Sequence, residues 1–270
     1  MELLFQCKII TKRGTMPSNK WTREELILAF NLYCKIPFGT IHIRNPQIIS
    51  LAKILGRTPS AVSWKLANLA SLDPTLKKRN IAGASHGSKL DTEVWNDFVG
   101  DWERLAFESE KLLAKKIGKR VEDISEVDSF DLPKAGKERE TLVKVRVNQN
   151  FFRRAVLAAY DFKCCITGLE VPELLNASHI IPWSKDETNR VNPRNGLCLN
   201  AIHDRAFDRG LLTITTDLKI KVSNTIKKGK VSDAVQDFLF KYDGLEIRKP
   251  TKFSPDAKFL KYHNRNVFQP

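Results

Sequence analysis

The chain has 270 residues, 42% of them hydrophobic, and 45 Lys and Arg against 31 Asp and Glu, for a formal net charge of +14. That length supports two modest domains with cores of their own, and the basic excess points to a polyanionic partner. No apolar run spans a bilayer, MELLFQCKIITKRG is too short in its apolar part for a secretory signal, and five cysteines with Cys164 and Cys165 adjacent make no disulfide framework, so a reduced, cytoplasmic protein without membrane association is expected.

Residues 1 to about 18 carry little structural signal, and Met16, just ahead of a plausible domain start, is an alternative initiator. Thr22-x-x-Glu25 is a capping box, and Leu26, Ala29, Phe30 and Tyr33 continue it as a helical stripe until Pro37 and Gly39 break it. Pro46 to Leu55 makes a second helix with Ile48, Leu51, Ala52 and Leu55 inward. Thr58 caps a third, with Pro59 at its first position and Val62, Leu66 and Leu69 as its core stripe. Three short helices with a tight turn at Gly56-Arg57 make a helix-turn-helix plan. The run KWTREELILAF…ILGRTPSAVSWKLANL, over about residues 19 to 72, resembles Myb/SANT-like modules. That resemblance implies that the third helix enters a DNA groove, with Ser60, Ser63, Trp64, Lys65 and Asn68 as the contacting candidates. Trp64 is bulky for such a position, suited either to stacking on a flipped base or to packing under the next segment.

Asp73 to Leu90 reads as a loop with Gly83 and Gly87, and its basic residues suit either phosphate contact or solvent. Asp91 to Lys116 reads as one helix, with Val94, Trp95, Phe98, Trp102 and Leu105 as its core stripe. Ile117 to Glu140, charged and containing Pro133 and Gly136, reads as the linker. Leu142 to Val147 alternates like a strand, and Asn150 to Tyr160 follows as a helix. Arg146, Arg153 and Arg154 are candidate phosphate contacts.

Leu175 to Trp183 is short and β-prone, ended by Pro182. Ser184 to Arg194 is a polar loop, Asn195 to Leu199 a second apolar run, and Ala201 to Asp208 a short helix that Gly210 terminates. Such a strand, loop, strand and helix present His179 opposite His203, Asp204 and Asp208. Phosphodiester cleavage needs a base to activate water, a cation to stabilise charge, and a group to orient the base. A strand His and a helix carrying His and Asp supply the first two, and the two-sided amide of Asn195 supplies the third. Further on, Leu211 to Thr215 and Lys219 to Val222 read as a hairpin, Ser232 to Tyr242 as a helix, and His263 as a structural or phosphate-contacting group.

Cys164-Cys165-Ile166-Thr167-Gly168, Ala177 to Trp183, Asn195 to Leu199 and His203 to Gly210 together resemble the ββα-metal core of HNH endonucleases. The similarity is to a bacterial branch reading C-x-x-T-G, A-S-H-I-x-P-W, N-G-L-x-L and H-D-x-A-F-D-R-G. The resemblance implies that His179 is the general base and that Asn195 braces the loop. It places a divalent ion (Mg²⁺, or Mn²⁺ or Ni²⁺) at His203 or Asp204, with Asp208 assisting. The letter pattern favours His203, and the count from Asn195 favours Asp204. Two positions depart from the family. Ser178 stands where many members carry an Asp or His ligand, and a hydroxyl is a weak ligand for a hard cation. The two C-x-x-C pairs of many members read Cys164…Thr167 and Asn200…His203 here, which loses the four-thiolate site; a structural zinc is not expected, a makeshift set of Cys164, Cys165, Cys198 and His203 being the alternative.

The expected fold is α+β, with an all-α helix-turn-helix domain over 17–116, a linker over 117–140 and a ββα-metal nuclease domain over 141–270. The expected function is metal-dependent, restriction-type cleavage of double-stranded DNA in a bacterial or phage setting, with His179, Asn195 and His203 as the catalytic set. A homodimer would supply the two sites that a double-strand cut needs. The alternatives are a non-cutting DNA-binding regulator on a decayed core, and a nuclease whose first domain binds a partner rather than DNA.

Overall fold

The computed structural model describes residues 20–80, 87–124, 136–227 and 231–270; Met16, Gly83 and Pro133 lie outside the described residues. Thr22 opens α1 (Arg23–Lys35) by the reciprocal cap its sequence predicts: its hydroxyl accepts the Glu25 N–H, and the Glu25 carboxylate accepts the Thr22 N–H at 2.8 Å. Asn45 caps α2 (Pro46–Leu55), which stops at Gly56 with φ +66°. Thr58 caps α3 (Pro59–Ala70). Leu26, Phe30 and Tyr33, then Ile48 and Leu55, then Val62, Leu66 and Leu69 are buried, so the three inward stripes share one apolar centre.

Two expectations change beyond this bundle. The loop after Asp73 contains a short helix, α4 (Pro74–Lys78), and the single helix expected over 91–116 is two, α5 (Lys89–Phe98) and α6 (Trp102–Ile117). The break falls at Gly100-Asp101, where the Asp101 carboxylate accepts the Arg104 N–H at 3.1 Å and starts a new helix. The aromatic stripe continues across the break and conceals it: Trp95 of α5 stacks on Phe30 at 4.8 Å, and Trp102 of α6 meets the same ring edge-on.

A short helix, α7 (Val121–Ile124), lies within the segment expected as linker, and α8 (Lys137–Ala159) follows. The strand expected over 142–147 is the first half of α8. Val143, Val147 and Phe151, spaced by four, form its buried stripe, so tertiary packing overrides the β-branched alternation. Lys144 of α8 pairs with Glu103 of α6 at 2.6 Å.

The second half of the chain is built on α8. β1 (Leu175–His179) pairs antiparallel with β2 (Gly196–Asn200), His179 opposite Gly196. The first strand ends four residues before the expected stop at Trp183, because the chain turns away after His179. A side chain at position 196 would clash with Val156 and Phe152, so glycine here lets α8 lie against the sheet. α9 (Ala201–Asp208) follows at once, capped by Asn200. Gly210, at φ +67°, ends it, and a Cβ there would strike the Val267 carbonyl. β3 (Leu212–Ile214) and β4 (Ile220–Val222) form the expected hairpin. The helix expected over 232–242 is shorter, α10 (Asp233–Phe238) with a separate 3-10 turn after it, and α11 (Ala257–Asn266) closes the fold. The chain is thus mixed, a helical N-terminal part followed by helices and two small antiparallel sheets. No helix among the described residues is long and apolar enough to cross a membrane.

One segment stitches the late chain to the early helices. Lys252 is fully buried, and its ammonium donates to the carbonyls of Tyr33, Cys34 and Ile36, at 2.9 Å to Cys34 and 2.7 Å to Ile36. Those carbonyls close the C-terminal end of α1, where intrahelical donors run out and the helix dipole is negative, so a cation fits there. Phe253 meets Tyr33 and Trp102 edge-on, and the Ser254 N–H donates to Thr75 Oγ1 at 3.0 Å.

Candidate active site

β1, the start of α8's second half and α9 enclose a cavity of about 650 Å³. His179, Ser178 and Asn176 of β1 line it, as do Asp204 and Asp208 of α9, and Gln149, Phe152 and Arg153 of α8. Asp204 and Asp208 sit one turn apart and so share a face of α9.

His179 is held on three sides. Its ring stacks on Phe152 with centroids 3.8 Å apart and meets the edge of Trp183. Its Nε2 lies 2.8 Å from the Arg190 carbonyl. A carbonyl only accepts, so Nε2 carries the proton and Nδ1 is left as the basic nitrogen. Burial lowers the pKa of this histidine below the ordinary value, against the opposing pull of the Arg190 carbonyl and of Asp204. A neutral imidazole of fixed tautomer is what proton abstraction requires.

The loop that supplies the Arg190 carbonyl is held by Asn195, which is buried. Its Oδ1 accepts the Ile181 N–H at 2.8 Å, and its Nδ2 donates to the carbonyls of Ile181 and Asn189 at 3.2 Å each. Its own carbonyl accepts the Ile180 N–H at 2.9 Å. One amide therefore fixes the residues after His179 and the residue before Arg190. Arg190 in turn donates through Nε to the Trp183 carbonyl at 2.8 Å.

His203 and Asp204 face different sides of α9. Asp204 lines the cavity, and the Asn176 amide donates to its Oδ2 at 2.7 Å. His203 is buried on the other side of α9, its Nδ1 2.9 Å from Asn200 Oδ1 and its Nε2 2.8 Å from the Phe238 carbonyl. Its one N–H goes to the Phe238 carbonyl, its Nδ1 faces Asn200 Oδ1, and the side chain does not line the cavity where a ligand or catalyst was expected; in this position it ties α9 to α10. Burial, and next the charge of Asp204, raise the pKa of Asp208, while Arg205 and Arg209 oppose them. Two carboxylates that crowd one another in a partly buried cleft form a site of negative potential for a cation.

A divalent cation fits this donor set. Carboxylate oxygens suit hard cations. Ser178, although a weak ligand, is only 2% exposed, and its Oγ has no hydrogen-bond partner, an orphan that a hydrated cation in the cavity would satisfy. No group of three His, Cys, Asp or Glu among the described residues is placed to hold a metal, and the two carboxylates of α9 are the acidic donors that line this cavity. Cys164, Cys165 and Cys198 are fully buried in the core around β2, and burial pushes the Cys198 thiol up to about 12.

The arginines divide. Arg153 lines the cavity while its guanidinium donates to the Leu175 carbonyl at 2.8 Å, which holds β1 against α8. Arg146 is exposed two turns earlier on the same face of α8 as Gln149 and Arg153. Arg154 points elsewhere, into a smaller cavity beside Lys35 and Glu110. On α3, Ser60 is exposed, Ser63 and Asn68 are half-buried, and Trp64 is 63% exposed. Lys65 is corrected: it is buried and pairs with Asp91 at 2.8 Å, because the first turn of α5 covers that side of α3.

Asn176, Gln149 and Phe152 escaped the sequence reading. The available signal was the period of two along β1, which puts Asn176 and Ser178 on one face. Residues 164–215 match the family model described as HNH endonuclease, and the match supports a nuclease acting on DNA. No curated protein matches the chain.

Proposed function

We propose that this chain is a metal-dependent DNA endonuclease of restriction type, in which Nδ1 of His179 takes a proton from water that attacks phosphorus in line. Asn195 positions the base by holding the loop between β1 and β2. Asp204 and Asp208 hold a divalent ion, which when bound neutralises charge on the phosphate and the departing 3′ oxygen. Arg153, at the cavity wall, and Arg146, further along the same face of α8, meet the DNA backbone, and Arg154 lies too far round the helix to share that task. The outward face of α3, with Ser60, Ser63 and Trp64, reads the duplex, while the Asn68 amide lies 3.5 Å from Asp91 on the side that α5 covers. The restriction setting rests on family likeness alone.

The observation that carries this reading is the meeting, in one cavity, of a tautomer-fixed neutral histidine and a pair of carboxylates on one helical face. A plasmid-cleavage assay tests it. Wild type cuts with Mg²⁺ or Mn²⁺ and not with EDTA, whereas His179→Ala binds DNA and does not cut. Binding without cutting under every metal would move the protein to the class of DNA-binding regulators.

A further inference from the structure

We propose that the cation site is made of oxygen ligands only, with Asn176 as the positioning residue that aims Asp204, and with the Ser178 hydroxyl bonded to a water of the bound cation. This deepens the cation site proposed above and rests on it.

Of the three histidines of this half, only His179 keeps an unbonded ring nitrogen at the cavity. His203 faces away from the cavity, with Nε2 on the Phe238 carbonyl and Nδ1 against Asn200 Oδ1. His263 uses both of its own, on Thr213 and on the Phe207 carbonyl. His179 spends Nε2 on Arg190 and keeps Nδ1 for the proton. Oxygen donors remain, and β1 and α9 bring them together. Asn176 and Ser178, two apart on β1, share a face. The Asn176 Nδ2 pins Asp204 Oδ2 at 2.7 Å, which orients the carboxylate and leaves its other oxygen for a cation. Asp208 lies one turn on. Ser178 lines the cavity, and its Oγ is buried just behind that surface without a partner. A hydroxyl is a poor direct ligand, but Mg²⁺ keeps several of its waters when bound, and one of these completes the bonding of Ser178. The strand's contribution passes to Asn176 acting through Asp204. Such a set selects a hard cation, Mg²⁺ or Mn²⁺, rather than one that prefers imidazole.

The test is Mn²⁺ binding to the full chain without DNA, followed by calorimetry and by pulsed electron paramagnetic resonance. Bound Mn²⁺ should show no coupling to a directly coordinated imidazole nitrogen. Asn176→Ala should weaken Mn²⁺ binding by about 10–100-fold, the usual effect of removing a group that orients a metal ligand, with circular dichroism unchanged. Imidazole nitrogen coupling in the wild type overturns the proposal whether or not the variant folds. So does a folded Asn176→Ala that binds Mn²⁺ like the wild type, and if the wild type also cuts DNA, the nuclease reading survives that result. A wild type that neither binds Mn²⁺ nor cuts DNA with any metal overturns both.

Discussion

The Arg190 carbonyl accepts the Nε2 proton of His179 at 2.8 Å, and this single bond decides which ring nitrogen can act as a base. The bond spans the loop between β1 and β2, so the tautomer of the histidine depends on how that loop is held. Asn195 holds it from both ends, at Ile181 and at Asn189. Side-chain chemistry and loop geometry are therefore one device.

The pH profile of cleavage follows from it. A base must be unprotonated to act, and burial lowers the pKa of His179 below the ordinary histidine value. The acid limb of kcat/KM should therefore lie below about 6.5, with no loss attributable to this group through neutral pH. His179→Ala should lower the rate by ~10²–10⁴-fold. An acid limb at or above pH 7 that disappears in a residual-activity variant at this position would contradict the assignment.

Asp204 and His203 are neighbours in sequence with opposite expected phenotypes. Asp204→Asn removes a carboxylate from the cavity and should abolish metal-dependent cutting while the chain stays folded. His203→Ala should leave Mn²⁺ affinity unchanged but orphan the Phe238 carbonyl, at about 1–3 kcal/mol in urea unfolding. The reverse pattern would return the ligand role to His203.

The same pair shows how far the sequence could be read. The caps Thr22 and Thr58 were legible because capping is local, each bonding within three residues, whereas Asn45 and Asn200 cap in the same way and were passed over. The strand, loop, strand and helix around the cavity were legible for a similar reason, through Gly210 and the short apolar runs. What could not be read was which side of α9 faces the cavity. His203 and Asp204 differ by about 100° around the helix, and α10, which claims His203, lies more than thirty residues later. Lys65 was lost in the same way, to Asp91 on a helix whose approach the α3 pattern does not encode. The first half of α8 was misread because a helix packed on two sides can carry valines at strand-like spacing.

Lys252 should be the strongest tie between the two parts of the chain. Lys252→Met keeps most of the stem's volume but removes the donors from three buried carbonyls at the end of α1. An unsatisfied buried group costs about 1–3 kcal/mol, so the midpoint of urea unfolding should fall by at least one such increment. Cleavage per folded molecule should change little, since Lys252 does not line the cavity. An unchanged midpoint would mean that water replaces the ammonium without loss.

Acid should loosen the fold through His263. Its ring stacks on Phe207, its Nε2–H donates to the Phe207 carbonyl, and its Nδ1 accepts from the Thr213 hydroxyl, which itself accepts from Asn264. Protonating Nδ1 would set a donor against a donor in a buried place, and burial pushes the pKa down to about 4. The unfolded chain takes up this proton near pH 6.5 and the folded chain only near 4, so between those values the unfolded state binds more protons. Stability is then fully present above about 6.5 and is lost as pH falls toward about 4, by roughly 3 kcal/mol from this group at the scale of 1.36 kcal/mol per pKa unit. Urea unfolding at steps of pH across that window should show the slope, and His263→Gln should flatten it while lowering stability at neutral pH. An equal slope in the variant would assign the acid sensitivity to other groups.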